Sequence, residues 1–228
     1  MKKLTILSGA GISAESGIKT FRDGDGLWEN HRVEDVASPE GWRKNPELVL
    51  DFYNERRRQL HEVHPNKAHF LLAELEKYFD VQIITQNIDD LHERAGSTKV
   101  LHLHGELFKS CSERNKNQIF DQKEDIKLGN LAPDGHQLRP FIVWFGEEVP
   151  AMTEALEMTS HADIFLVIGT SLQVYPAAGL VHEINDSCFL IVINPNETDF
   201  GYGKRAVVLK ETATKGMQIL FDKLLDMQ

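Results

Sequence analysis

Short β-branched or leucine-rich runs recur along the chain at residues 4–7, 81–85, 100–103, 164–168, 189–193 and 205–209, most of them uninterrupted. A strand with one wet face alternates apolar and polar residues. A strand covered on both faces does not, so these runs read as buried parallel strands. Helical patterns lie between them. Residues 46–60 open with Pro46 near the first turn and carry Leu48, Val49, Phe52 and Tyr53 at helical spacing, while residues 66–78 place Ala68, Leu71, Leu72 and Leu75 on one face. Alternating strands and helices predict an α/β fold, a Rossmann-like doubly wound parallel sheet. Residues 108–139 are polar and nearly without periodicity, and read as an insertion. The expected organisation of residues 1–228 is one domain. Its large part takes residues 1–30, 80–107 and 140–228, and its small subdomain takes a helical insertion, 31–79, and the polar insertion, 108–139.

The ends of the runs carry the chemistry. Five are followed by groups poor in aliphatic bulk and rich in hydrogen-bonding atoms: Gly9-Ala10-Gly11, Gln86-Asn87-Ile88-Asp89, His104-Gly105-Glu106, Gly169-Thr170-Ser171 and Asn194-Pro195-Asn196. In an open parallel sheet the carboxyl ends of the strands share one rim, where ligands bind. Glycines there let the backbone approach a phosphate, and a following helix offers it unpaired N–H groups. The spacing Gly9, Gly11, Gly17 is not the usual dinucleotide fingerprint, and each group alone also fits a turn or a helix cap. His102 and His104 fall on one face if their run is a strand. His104 is the better candidate base, because Gly105 leaves room for a ligand and imidazole takes a proton near neutral pH.

Composition narrows the field. A net charge of −10 argues against general nucleic-acid binding and against polyanionic substrates. Two cysteines, Cys111 and Cys188, suggest neither a disulfide framework nor a four-thiolate metal site, and fit a reducing compartment. The opening Met1-Lys2-Lys3-Leu4 is followed too soon by Ser8, Gly9 and Gly11 to be a good secretory signal, and no run approaches the ~18 apolar residues of a membrane span. A soluble, cytoplasmic protein without membrane partners is expected.

Taken together, the stretch from Gly9 to Ile18, Phe21-Arg22-Asp23, Thr85-Gln86-Asn87-Ile88-Asp89, His104-Gly105-Glu106, Arg139-Pro140, Val143-Trp144-Phe145-Gly146-Glu147, Gly169-Thr170-Ser171-Leu172 and Val174-Tyr175-Pro176 resembles the sirtuins, NAD-dependent protein lysine deacylases. The motifs stand in family order and cover most of the chain. The resemblance implies that an acyl-lysine side chain and NAD meet in one tunnel. There the acyl oxygen attacks the nicotinamide ribose, nicotinamide leaves, and His104 acts as general base with Asn87 beside it. The products are free lysine, nicotinamide and an O-acyl-ADP-ribose. Implied NAD contacts are Gly9, Ala10, Gly11, Ser13, Glu15, Phe21, Arg22, Trp28, Gln86, Asn87, Ile88, Asp89, Gly169, Thr170, Ser171, Asn194, Pro195, Asn196 and Ala213. Phe145, Gly146, Glu147 and Val174 are similar to the paired edges that sandwich substrate backbone.

Tyr53 and Arg56 match the tyrosine–arginine pair of the bacterial class III subgroup that removes succinyl and malonyl groups, and Ala37 matches the small residue that widens its acyl pocket. A guanidinium can clamp a carboxylate bidentately while a phenol adds a hydrogen bond. Arg56 also belongs to the run Arg56-Arg57-Arg58, which fits a solvated basic face equally well on spacing alone. Sirtuins usually carry two Cys-x-x-Cys pairs that hold structural zinc. Here Cys111 stands alone, with Arg114, Leu131 and Asp134 where partners belong, so zinc is expected to be absent. The alternative within enzymes is an NAD-dependent protein ADP-ribosyltransferase.

Overall fold

The computed structural model describes residues 1–19, 27–198, 200 and 206–227. Expectations placed on Phe21, Arg22 and Arg205 lie outside the described residues. The first half of the chain runs β1 (Lys3–Ser8), α1 (Gly11–Ala14), β2 (Leu27–Trp28), β3 (His31–Arg32), α2 (Val33–Val36), α3 (Pro39–Lys44), α4 (Pro46–Glu62), α5 (Lys67–Glu74), β4 (Asp80–Thr85), α6 (Leu91–Arg94) and β5 (Val100–His102). The second half continues β6 (Gly105–Ser112), β7 (Ile119–Asp121), β8 (Leu138–Ile142), α7 (Met152–Ser160), β9 (Ile164–Ile168), β10 (Phe189–Ile193), β11 (Ala206–Leu209) and α8 (Ala213–Leu225).

Six strands form one parallel sheet in the order β11-β10-β9-β1-β4-β5. Successive residues of each strand face opposite cores. Ile6, Ile83, Leu166 and Ile191 pack under α5 and α8 with Leu72 and Met217, while Leu7, Ile84, Val167 and Val192 pack against α7 and the 3₁₀ turn Ala177–His182. Both faces of the central strands are dry, which is why their runs lack alternation, whereas at the edge strand β11 Val207 and Val208 are exposed.

From β1 the chain first builds outward to β4 and β5, then returns to β9 on the other side of β1. The strand order reverses there, and the carboxyl ends of β1 and β9 must diverge around a crevice. The two loops meet backbone to backbone. Gly9 N–H donates to the Ile168 carbonyl at 3.1 Å and Gly11 N–H to the Gly169 carbonyl at 2.8 Å. Gly169 has φ +65°, and a Cβ there would stand 2.3 Å from the Ile12 nitrogen.

A third core joins α2, α3 and α4 to an antiparallel sheet, β7-β6-β8, through Val36, Phe52, Tyr53, Leu107, Ile142 and Trp144. This small sheet corrects the reading of 108–139 as an aperiodic insertion flanked by the large part, because β6 starts at Gly105 and β8 ends at Ile142. Helix α5 departs from expectation as well. It packs on the large sheet beside α8, so of the helical insertion 31–79 only the segment through α4 belongs with the small sheet. Side-chain bonds to the backbone order the polar segment. Asn54 donates to the Ile126 carbonyl and accepts from its N–H, both at 2.8 Å, and buried Arg57 donates to the Leu107 carbonyl at 3.2 Å.

The close contact at Gly169 sets an expected outcome. Gly169→Ala should lower the unfolding free energy by about 3 kcal/mol, from steric overlap plus a positive φ. Gly129→Ala, where φ is +88° but nothing lies within 4 Å, should cost about 1 kcal/mol. Urea unfolding of the two variants measures the difference, and equal losses would contradict the packing argument.

Candidate active site

A cavity of about 480 Å³ opens where the strand ends converge. Gly9, Ala10, Gly11, Ser13 and Glu15 follow β1, Gln86 through Asp89 follow β4, and His104 lies between β5 and β6. Gly169 to Ser171 follow β9, Asn194 to Asn196 follow β10, and Ala213 starts α8. The same cavity reaches Trp28, Ala37, Tyr53, Arg56, Phe145, Gly146, Glu147 and Val174 on the other side. Every described residue singled out from sequence as a candidate for the site therefore lines one space. Trp144, Gln59 and Thr212 also line it. No local pattern marked Gln59 or Thr212, and Trp144 stood in the motif Val143–Glu147 without a role of its own.

A hydrogen-bonded chain holds the floor. Ser8 donates to Thr85 Oγ1 at 2.9 Å, and that oxygen also accepts the Asn87 N–H at 3.1 Å. The Asn87 amide donates to the Gly9 carbonyl and to Ser13 Oγ at 3.3 and 3.2 Å, and Ser13 donates to Asp89 at 3.0 Å. Burial pushes the Asp89 carboxyl up to about 6, against the opposing bonds from Leu91 N–H and Ser13. Gln86 ties two strand ends together by donating to Thr170 Oγ1 at 3.1 Å. Glu15 has a bracing role. Its carboxylate accepts from Thr214 N–H at 2.8 Å and Thr212 Oγ1 at 3.1 Å at the start of α8, and although burial opposes it, these bonds hold its pKa below the usual carboxylate range.

The two histidines separate. The strand ends at His102, so the pair does not share a strand face, and only His104 lines the cavity. His102 donates from Nδ1 to the Asn87 carbonyl at 3.0 Å and from Nε2 to Glu93 at 2.8 Å. Burial lowers its proton affinity, yet the Glu93 bond and charge outweigh that and raise it, so His102 favours the cation. His104 donates Nδ1–H to the Gln86 carbonyl at 2.9 Å. A carbonyl only accepts, so that nitrogen keeps the proton and Nε2 keeps its lone pair. Burial lowers the His104 pKa and the Gln86 bond offsets only part of this, leaving a neutral imidazole suited to take a proton.

At the far end, Tyr53 and Arg56 stand three apart on α4. The arginine run is not a solvated face: Arg56 is 8% exposed, Arg57 is fully buried, and only Arg58 is exposed, pairing with Asp125 at 2.6 Å. Arg56 donates to the Phe52 carbonyl at 3.1 Å and sits 3.2 Å from exposed Glu55, while its buried Nε has no partner among the described residues. Ala37 is buried, and its carbonyl accepts Phe145 N–H at 3.0 Å. Phe145-Gly146-Glu147 form a turn with Gly146 at φ +87°, and the segment around Val174 is bent, so neither is the extended edge expected from sequence. Glu147 is engaged by Arg139 at 3.0 Å and by Trp144 N–H at 2.9 Å.

The metal-ligand positions of the small part carry other bonds. Cys111 is buried within β6, where burial pushes its thiol up, and Asp134 accepts from Ser112 at 2.6 Å. Among the described residues, no three His, Cys, Asp or Glu side chains gather to hold a metal, and the donors present do not fit a tetrahedral zinc site.

Comparison with known proteins agrees with this geometry. The model of the Sir2 family matches residues 9–176. An NAD-dependent protein deacylase of Helicobacter pylori is 56% identical over 227 residues, covering 100% of this chain and 99% of the relative. One from Bacteroides thetaiotaomicron is 51% identical over 231 residues, covering 99% of each. Among solved structures, a Sir2 homologue in complex with NAD superimposes with a TM-score of 0.89 at 39% identity, covering 99% of this chain and 90% of the other. A Sir2 complex with a p53 peptide and NAD gives 0.78 at 31%, covering 96% and 92%. A family match from Gly9 to Pro176, relatives aligned from end to end and a shared fold lead to one conclusion: the chain belongs to the Sir2 family.

Proposed function

We propose that this NAD-dependent protein deacylase removes acyl groups that end in a carboxylate, succinyl and malonyl above all, as well as acetyl, from lysine side chains. The observation that carries the preference is Arg56, a buried guanidinium on the cavity wall that, among the described residues, has an unpaired Nε and only an exposed glutamate as ionic partner. An exposed ion pair is worth ~1 kcal/mol or less, so a ligand carboxylate can replace it at little cost. Tyr53 one helical turn away adds a neutral donor, and Ala37 leaves space.

The other end of the cavity fits NAD. The Gly9 and Gly169 loops bring backbone close to where phosphates would lie, and Ala213 and Asn194 to Asn196 flank the place for the adenosine half. Bound NAD supplies a ribose carbon that accepts the acyl oxygen as nicotinamide departs. Asn87 and Asp89 are aimed by Ser13 and Thr85 to hold the reacting half. His104 Nε2 takes a proton from a ribose hydroxyl, its orientation fixed by Gln86. The peptide would lie against the Phe145–Glu147 turn and Val174. In this reading the small part is held without zinc, by the Ser112–Asp134 bond and the Asn54–Ile126 pair.

Four outcomes follow from these assignments. Arg56→Met should cut the ratio of kcat/KM for a succinyl-lysine peptide to that for an acetyl-lysine peptide by about 100-fold, the loss of a charge-assisted pair. An unchanged ratio would exclude the clamp. His104→Ala should lose deacylation while still binding NAD in a calorimeter. In wild-type enzyme His104 must be neutral to act, and burial holds its pKa below the usual 6.5 in the ligand-free protein, so the acid limb of kcat/KM should fall below pH 6.5; a limb centred above it would contradict a desolvated base. Elemental analysis checks the metal, since one zinc per chain would refute a zinc-free small part.

A further inference from the structure

Tyr53 is fully buried, and its hydroxyl oxygen accepts the indole N–H of Trp144 at 3.1 Å. An indole nitrogen is only a donor, so the direction of this bond is fixed. The Tyr53 hydroxyl proton is therefore left over, and none of its hydrogen bonds to a protein acceptor is present among the described residues. Burial keeps the phenol protonated by raising its pKa, although Trp144 and the nearby arginines pull the other way. Two donors on one face of α4 thus lack acceptors at the cavity wall, the Tyr53 O–H and the Arg56 Nε. An anionic acceptor satisfies both.

Trp144 itself is held from three sides. The Arg139 guanidinium carbon lies 3.3 Å from its ring centre, the Trp42 ring lies 5.7 Å away, and its backbone N–H donates to Glu147 at 2.9 Å. Glu147 in turn bridges Arg139 and Lys116 at 3.0 and 2.7 Å. These contacts leave the indole little freedom to turn its N–H away from Tyr53.

We propose that Trp144 is a positioning residue for acyl specificity: its N–H occupies one side of the Tyr53 oxygen, so that the Tyr53 O–H is directed at the distal carboxylate of the acyl group. This rests on the acidic-acyl reading above and extends it to a residue that does not itself touch the carboxylate. The Arg139–Glu147 pair supports specificity through Trp144.

The test compares full-length enzymes on succinyl-lysine and acetyl-lysine peptides. Trp144→Phe keeps an aromatic ring over Arg139 and removes the N–H. It should lower the succinyl-to-acetyl ratio of kcat/KM by about fivefold to tenfold, mainly through a higher KM for the succinyl peptide. A merely structural defect would reduce both substrates in proportion and leave the ratio alone, which would overturn the proposal. In a Tyr53→Phe background the same substitution should change the ratio no further; a full additional loss would also overturn it. Arg56→Met separates the two levels. If it leaves the ratio unchanged, the acidic-acyl reading fails; if it lowers the ratio while Trp144→Phe does not, only the role of Trp144 fails. Should Trp144→Phe not fold, the indole N–H spectrum of Tyr53→Phe decides. One of the three tryptophan resonances should shift strongly, and three unmoved resonances would refute the bond.

Discussion

The contact on which the site depends is the backbone-to-backbone approach of two glycine loops across the reversal in strand order. Gly11 N–H reaches the Gly169 carbonyl at 2.8 Å, and neither position has room for a side chain. Hydrogen bonds make the approach favourable, and the missing Cβ atoms make it possible. Once β1 and β9 end in contact, Ser13 is delivered to Asn87 and Asp89, and Thr170 to Gln86. A loop that spread to admit a methyl group would move every one of these partners.

The polar floor differs from the cavity's two working ends in how charge is managed. On the floor, donors and acceptors are chained so that most are satisfied within the protein. At the working ends, valence is left open among the described residues: His104 keeps a free Nε2, and Arg56 keeps an unpaired Nε. His102 shows how the separation is kept. With both its nitrogens bound, one to Glu93, its proton affinity is raised while it holds the Asn87 carbonyl, whereas burial lowers that of its near neighbour His104, which has no carboxylate partner among the described residues. Two histidines of similar burial thus have their pKa values moved in opposite directions by their partners.

How much of this was legible in sequence follows the range of the interactions. The strands 164–168 and 189–193 begin and end as their apolar runs do, because burial on both faces writes itself into consecutive residues. The rim motifs were legible for the same reason, each being a short stretch at the end of such a run. The β6-β7-β8 sheet was not, since its order comes from side chains such as Asn54, bonded to backbone 72 residues away. The turn at Phe145 was hidden likewise, because Glu147 is drawn inward by Arg139 and not by any local pattern. Trp144 reaches Tyr53 across 91 residues, and only the fold brings them together.

In the function proposed, a single cavity couples consumption of NAD to release of an acidic acyl group from lysine. The most direct measurement follows nicotinamide and free lysine together when the purified protein is given NAD and a succinyl-lysine peptide. Equal amounts of the two products, formed faster than from the acetyl-lysine peptide and with almost no nicotinamide when the peptide is omitted, are the predicted result. Nicotinamide released at the same rate without peptide, with labelled ADP-ribose accumulating on protein, would contradict it.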